Sequence, residues 1–134
     1  MELNSDCNLK NVTIENSYFE KGFIYINPKI IYNAANIEIE NSLLKNITSY
    51  RGTIIHIEPT DKLNQRIIIK NSTFENNVAS EFGGIIYSRA QDINENVQFI
   101  DCIFINNKAL SGKLYNFYIS ILYIYFFLKK KGIG

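Results

Sequence analysis

The chain has 134 residues and a formal net charge of +1. That length suits one domain with enough apolar residues to bury a core. So even a charge excludes whole-chain electrostatic attraction to nucleic acid or to an anionic membrane surface. Ile, Tyr and Phe favour strands and Asn favours turns, while Ala and Met, which favour helices, are scarce, so the composition points to β structure.

The opening "MELNSDCNLK" has neither a basic start nor an apolar run, so no secretory leader is visible. The expectation is either an intracellular chain or a piece of a longer one, and the repeats favour the second. "VTIENSYFEKG" begins at Val12, "IEIENSLLKNI" at Ile37, "IIIKNSTFENN" at Ile67 and "VQFIDCIFINN" at Val97, with offsets of 25, 30 and 30 (37−12, 67−37, 97−67). Each is followed by a glycine and a second apolar stretch: "GFIYI" at Gly22, "GTIIHI" at Gly52, "GGIIYS" at Gly83 and "GKLYN" at Gly112. Short alternating strands and turn residues at such a period are the signature of a solenoid. The pairs Val12/Ile14, Ile37/Ile39, Ile67/Ile69 and Val97/Phe99 alternate with more polar neighbours and are expected to point inward. The fold class expected is all-β, a parallel β-helix of about four coils spanning residues 1–116, with coils starting near 12, 37, 67 and 97.

Two columns follow from this alignment. Asn16, Asn41, Asn71 and Asp101 fall where the strand bends, a place for a left-handed backbone and for amides that bond from rung to rung. Asp101 interrupts that ladder with an acceptor-only side chain and is expected near solvent or at the stack's end. Phe19, Leu44, Phe74 and Phe104 are expected to form one inward column.

Coils three and four resemble the polymorphic outer membrane protein repeat. Phe74 to Asn77 ("FENN") and Phe104 to Asn107 ("FINN") fit its Phe-x-x-Asn motif, and Gly83-Gly84 ("GGII") fits its Gly-Gly motif with Ile in place of Ala. The first two coils match loosely. More broadly the chain resembles the pectin-lyase-like superfamily. The resemblance implies a right-handed β-helix of a surface or secreted protein, often adhesive, and brings no shared catalytic residues.

An outward cluster is expected from Glu15 and Glu40 as neighbours across one rung, with Glu38 on the same face. Three carboxylates so placed suit a glycosidase-type pair or a hard cation, against the plainer reading of a solvated strand face beside Lys70. His56 alternates with Ile55 and Ile57 and is expected at the surface without ligand or base partners. Cys7 and Cys102 should lie at least three rungs apart, beyond disulfide reach, leaving two free thiols. Asn11, Asn46 and Asn71 begin glycosylation sequons, with Asn71 the poorest acceptor if it sits in the ladder. Loops at 27–35, 58–65 and 89–96 would carry specificity.

Residues 117–134 form an apolar tail with a basic end, read as a cap over the last coil or as a marginal membrane anchor. Its apolar run, 114–128, is about 22 Å long as a helix, short of a bilayer core. The functional expectation is a non-catalytic adhesive or structural segment of a larger extracellular or cell-surface protein, binding a protein or glycan. Neither cofactor nor metal is expected, and open coil ends invite self-association. The alternative is a polysaccharide lyase or hydrolase fragment working through the surface carboxylates.

Overall fold

The structure, a computed structural model, describes residues 5–29, 36–90 and 92–110. The tail and the end of the first candidate loop lie outside those residues. The first coil contributes β1 (Cys7–Lys10), β2 (Thr13–Glu15), β3 (Tyr18–Phe19) and β4 (Ile24–Ile26). The second contributes β5 (Asn36–Glu40), β6 (Leu43–Lys45), β7 (Thr48–Ser49) and β8 (Ile55–Thr60). The third adds β9 (Arg66–Lys70), β10 (Thr73–Glu75), β11 (Val78–Ala79), β12 (Ile86–Ala90) and a single helical turn, α1 (Ile93–Asn96). A fourth begins with β13 (Val97–Ile100), β14 (Ile103–Ile105) and β15 (Lys108–Ala109). Equivalent strands pair in parallel, giving four stacked sheets: β1-β5-β9-β13, β2-β6-β10-β14, β3-β7-β11-β15 and β4-β8-β12. They are called faces one to four below. The molecule is a parallel β-helix of three full turns and the start of another.

The two corners joining faces one, two and three explain the repeat. Asn11, Asn41, Asn71 and Asp101 stand at the first corner with φ of +48 to +56°, and Asn16, Asn46, Asn76 and Asn106 stand at the second with φ of +51 to +53°. Asn and Asp tolerate this left-handed conformation better than other side-chain-bearing residues. One such residue lets inward positions jump by three where a strand steps by two. The second coil therefore buries Ile37, Ile39, Ser42, Leu44, Ile47 and Ser49, an inward pattern of period five.

That five-residue sub-period corrects the expected register. The first coil starts at Cys7, not near Val12, because Cys7 pairs with Ile37 and Leu9 with Ile39. The spacing is then 30 residues between all four coils on face one (37−7, 67−37, 97−67). Matching "TIENS" to "EIENS" slides the first coil by five, and a five-residue slip preserves both the in–out alternation and an Asn at a corner. Asn16 accordingly belongs to the second Asn column, and Asn11 heads the first. Phe19 is likewise displaced. The inward column is Ile14, Leu44, Phe74 and Phe104, while Phe19 aligns with Ser49, Ala79 and Ala109. Phe74 is fully buried and stacks on Phe104 with centroids 5.1 Å apart and planes 9° apart.

Inward polar groups are tied to the backbone of adjacent coils. Ser42 Oγ donates to the Glu40 carbonyl at 2.9 Å and accepts from the Val12 N–H at 3.2 Å; Ser72 Oγ donates to the Lys70 carbonyl and accepts from the Ser42 N–H. Cys102, 2% exposed, continues this column with its Sγ 3.4 Å from the Ile69 carbonyl. Cys7 heads a different column three rungs away, and neither cysteine is part of a disulfide.

The amide ladder also sits elsewhere than expected. It runs inside the corner, one residue past the second Asn column. Asn77 Oδ1 accepts from the Ile47 N–H at 3.0 Å, and its Nδ2 donates to the Leu44 carbonyl at 2.9 Å and to Asn107 Oδ1 at 2.8 Å. Asn107 Nδ2 donates in turn to the Phe74 carbonyl at 2.8 Å. The Phe-x-x-Asn motif thus joins two inward positions either side of a left-handed corner. The first corner column is exposed throughout, Asp101 included. On the outside of the second corner, Asn46 Nδ2 donates to Asn16 Oδ1 at 3.1 Å.

Candidate functional site

Of the three candidate carboxylates, Glu38 and Glu40 share one outward face, and Glu15 is separated from them. Glu15 is on face two, opposite Lys45, with 3.3 Å between Glu15 Oε2 and Lys45 Nζ. Glu40 is on face one between Lys10 and Lys70, 3.0 Å from Lys10 Nζ, and Glu38 stands on the same strand opposite Asn8 and Ile68. Corrected by five residues, the outward columns read Lys10, Glu40, Lys70, Ile100 on face one and Glu15, Lys45, Glu75, Ile105 on face two. Charge alternates in sign down both columns, and within each of the first three coils the two columns carry opposite signs. Cross-strand opposite charges stabilise a sheet where like charges would not. This is a charge-paired surface that leaves no Glu15–Glu40 pair, with Glu38 beside Glu40 on β5.

Face four carries the denser chemistry. Tyr25 and Tyr87 flank His56 in register on the outward side of β4, β8 and β12. Ring centroids lie 5.6 Å apart for Tyr25 and His56 and 4.8 Å apart for His56 and Tyr87. Glu58 accepts a 3.1 Å hydrogen bond from the Tyr25 hydroxyl, with Lys21 Nζ 3.8 Å away and His56 Nε2 3.5 Å away. Beside them Arg51 donates from Nε to Glu81 at 2.7 Å and lies over the Tyr50, Phe82 and Tyr87 rings, and the Tyr50 hydroxyl also donates to Glu81. The Tyr50 hydroxyl and the Arg51 guanidinium hold the Glu81 carboxyl below its ordinary value.

His56 is therefore not a surface residue: it is 5% exposed although it points away from the core. The alternation was right but the cover was invisible, because it comes from residues of three coils. The signal existed in the glycine-led stretches, whose alignment puts Tyr25, His56 and Tyr87 31 residues apart (56−25, 87−56). Nδ1 lies 3.3 Å from the Arg51 carbonyl, an acceptor to which a protonated Nδ1 would donate. Burial lowers the pKa below its ordinary 6.5, with Glu58 and the Arg51 carbonyl pulling upward and Lys21 and Arg51 pulling down.

The unfolded chain therefore takes up this proton before the folded one does. Stability from the neutral imidazole is present above about pH 6.5 and is lost as pH falls through the lowered value. Urea midpoints should be level above about pH 6.5 and decline below it. A His56→Gln variant should lose the first part of that decline and keep only the carboxylate part at lower pH. With 5% exposure and two flanking rings, His56 packs the outer side of this face.

The loop side of face four forms a recess of about 470 Å³ lined by Pro28, Lys29, Pro59, Thr60, Asp61 and Arg89. All three candidate loops contribute. They are less free than expected: Leu63 and Gln65 are 2% and 1% exposed, and Asp92 accepts from the Leu63 N–H at 2.9 Å. Among the sequons, all three asparagines are exposed corner residues, and Asn46 is the one whose amide donates to another side chain. Among the described residues there is no group of His, Cys, Asp and Glu that could hold a metal, and no helix long and apolar enough to cross a membrane.

Comparisons with protein-family models, with curated proteins and with solved structures return no match to this chain.

Proposed function

We propose that the chain is a non-catalytic β-helical segment of a larger extracellular or cell-surface protein, acting as an adhesive or structural element toward a protein or glycan partner. The observation that supports this reading most is the placement of the outward carboxylates. Glu15 and Glu40 lie on different faces, each against a lysine, and of the pair that shares a face, Glu38 and Glu40, the second is engaged by Lys10, which favours a charge-paired surface over paired-acid chemistry. The surface offers instead an ordered aromatic and charged ridge on face four and a recess beside it, both held by a rigid stack, which suits recognition.

Kinship with the polymorphic outer membrane protein repeat and the pectin-lyase-like superfamily belongs to the same proposal. Its support is that Phe74 and Phe104 stack in one column while Asn77 and Asn107 bond in the adjoining one, with Gly83 in a left-handed turn and Gly84 close to the Lys108 backbone of the next coil.

Solid-phase binding of the labelled full chain to an immobilised glycan panel and to whole cells tests the reading, beside turnover of pectic polysaccharide by wild type and Glu40→Ala. Saturable binding with no turnover in either protein is expected. Turnover by wild type that Glu40→Ala removes would replace this reading with the lyase or hydrolase alternative.

A further inference from the structure

We infer that the recess beside face four is an oxyanion-binding subsite, with Arg89 and Lys29 as the groups that hold the anion. The inference deepens the partner-binding proposal and rests on it for its biological meaning, while the subsite itself can be tested alone.

Three observations meet here. First, the pairing of β8 with β12 slips: Ser88 aligns with Ile57 but Ala90 with Thr60, so Glu58 and Pro59 together face the single residue Arg89. Such a bulge re-aims the side chain opposite it. Arg89 is exposed, between buried Ser88 and Ala90. Second, the recess is lined by Pro28 and Pro59 from successive coils, together with Lys29 from the first coil and Arg89 from the third. Two rungs separate Lys29 from Arg89, about 10 Å at 4.8 Å per rung, a gap that two long cationic side chains can close around one anion.

Third, among the described residues these two cations, like Lys70, are free of the ion pairs that hold most cations on the ridge and the ladders. Lys10, Lys21, Lys45 and Arg51 each meet a glutamate, whereas among the described residues Lys29 and Arg89 take part in no ion pair. The nearby carboxylates are engaged: Glu58 by Tyr25 and Lys21, and Asp92 by the Leu63 N–H. Asp61 is the one acid in the lining, against two bases. A planar guanidinium offers parallel donors to carboxylate, sulfate or phosphate oxygens, and an ammonium adds a point charge. The chemistry shared by those groups defines the ligand class.

The test is an amide-shift NMR titration of the full chain with inorganic sulfate, inorganic phosphate and acetate, at ionic strength fixed with chloride. Expected are saturable shifts at Lys29, Thr60, Asp61 and Arg89 with at least one of the three anions. The one that saturates tells a tetrahedral oxyanion from a carboxylate. Arg89→Gln should weaken that binding about tenfold, which is about 1.4 kcal/mol, and Lys29→Gln should weaken it similarly. Lys108→Gln, which removes an exposed cation on face three, should leave it unchanged. Shifts that stay linear with all three anions, or an Arg89→Gln variant that binds like wild type, would overturn the subsite whatever the solid-phase assay shows. Saturation in a chain that captures no glycan or protein would support the subsite and remove the partner reading alone.

Discussion

Gly52→Ala is expected to cost about 3–4 kcal/mol, seen as a lower urea midpoint at unchanged slope. Gly52 has φ of +63°, where an alanine carries about 1–2 kcal/mol of strain. The larger part is space. A Cβ there would fall on the Ile55 carbonyl oxygen and within 2.8 Å of the Tyr87 nitrogen, and both are backbone atoms that cannot move aside. Asn41→Ala separates the two effects. Asn41 shares the left-handed conformation at φ +51°, but its side chain is exposed. That variant should cost only about 1 kcal/mol, and Asn41→Gly should be near neutral. Equal losses in Gly52→Ala and Asn41→Ala would mean that the coils do not approach as closely as described.

Asn77→Leu should cost about 3 kcal/mol despite its similar size. Asn77 is fully buried, and leucine would strip partners from the Ile47 N–H and the Leu44 carbonyl together, leaving Asn107 Oδ1 only the backbone N–H of residue 77. Each abandoned buried group costs about 1–3 kcal/mol, and relaxation of the corner recovers some of it. Ile47 occupies the same column one coil earlier. There it serves the corner of the first coil, where Ser17 is only partly buried, so an apolar residue is tolerated nearer solvent. A double-mutant cycle with Asn107→Leu should show a coupling of about 1 kcal/mol for the amide–amide bond. Against a typical total stability of about 5–15 kcal/mol, either single change would unfold a sizeable fraction of molecules on warming.

The architecture was legible because burial repeats. Ile37, Ile39, Ile67, Ile69, Val97 and Phe99 all proved inward, and a parallel stack was the only economical use of them. The first coil was misread for a specific reason. Asn11 and Asn16 are both left-handed corners, and letter identity favoured the wrong one while backbone pairing selects the other. That slip also made the Glu15–Glu40 pair, since a five-residue error carries a residue from one face to the next. The His56 cluster and the recess were illegible because their parts come from three coils and meet only when the glycine-led strands are aligned at 31 rather than 30 residues. The bulge facing Arg89 leaves no mark in composition or motif.

The alternating charges on faces one and two bear on how the chain finds its fold. Coils so alike in their buried residues invite an assembly error in which the second coil loops out and the first settles on the third. In that arrangement Lys10 would meet Lys70 and Glu15 would meet Glu75, so each column would set like charge against like. Correct neighbours give Lys10 against Glu40 and Glu15 against Lys45. The outer surface thus works as a parity check on the assembly, rejecting a skipped coil that the core alone would accept.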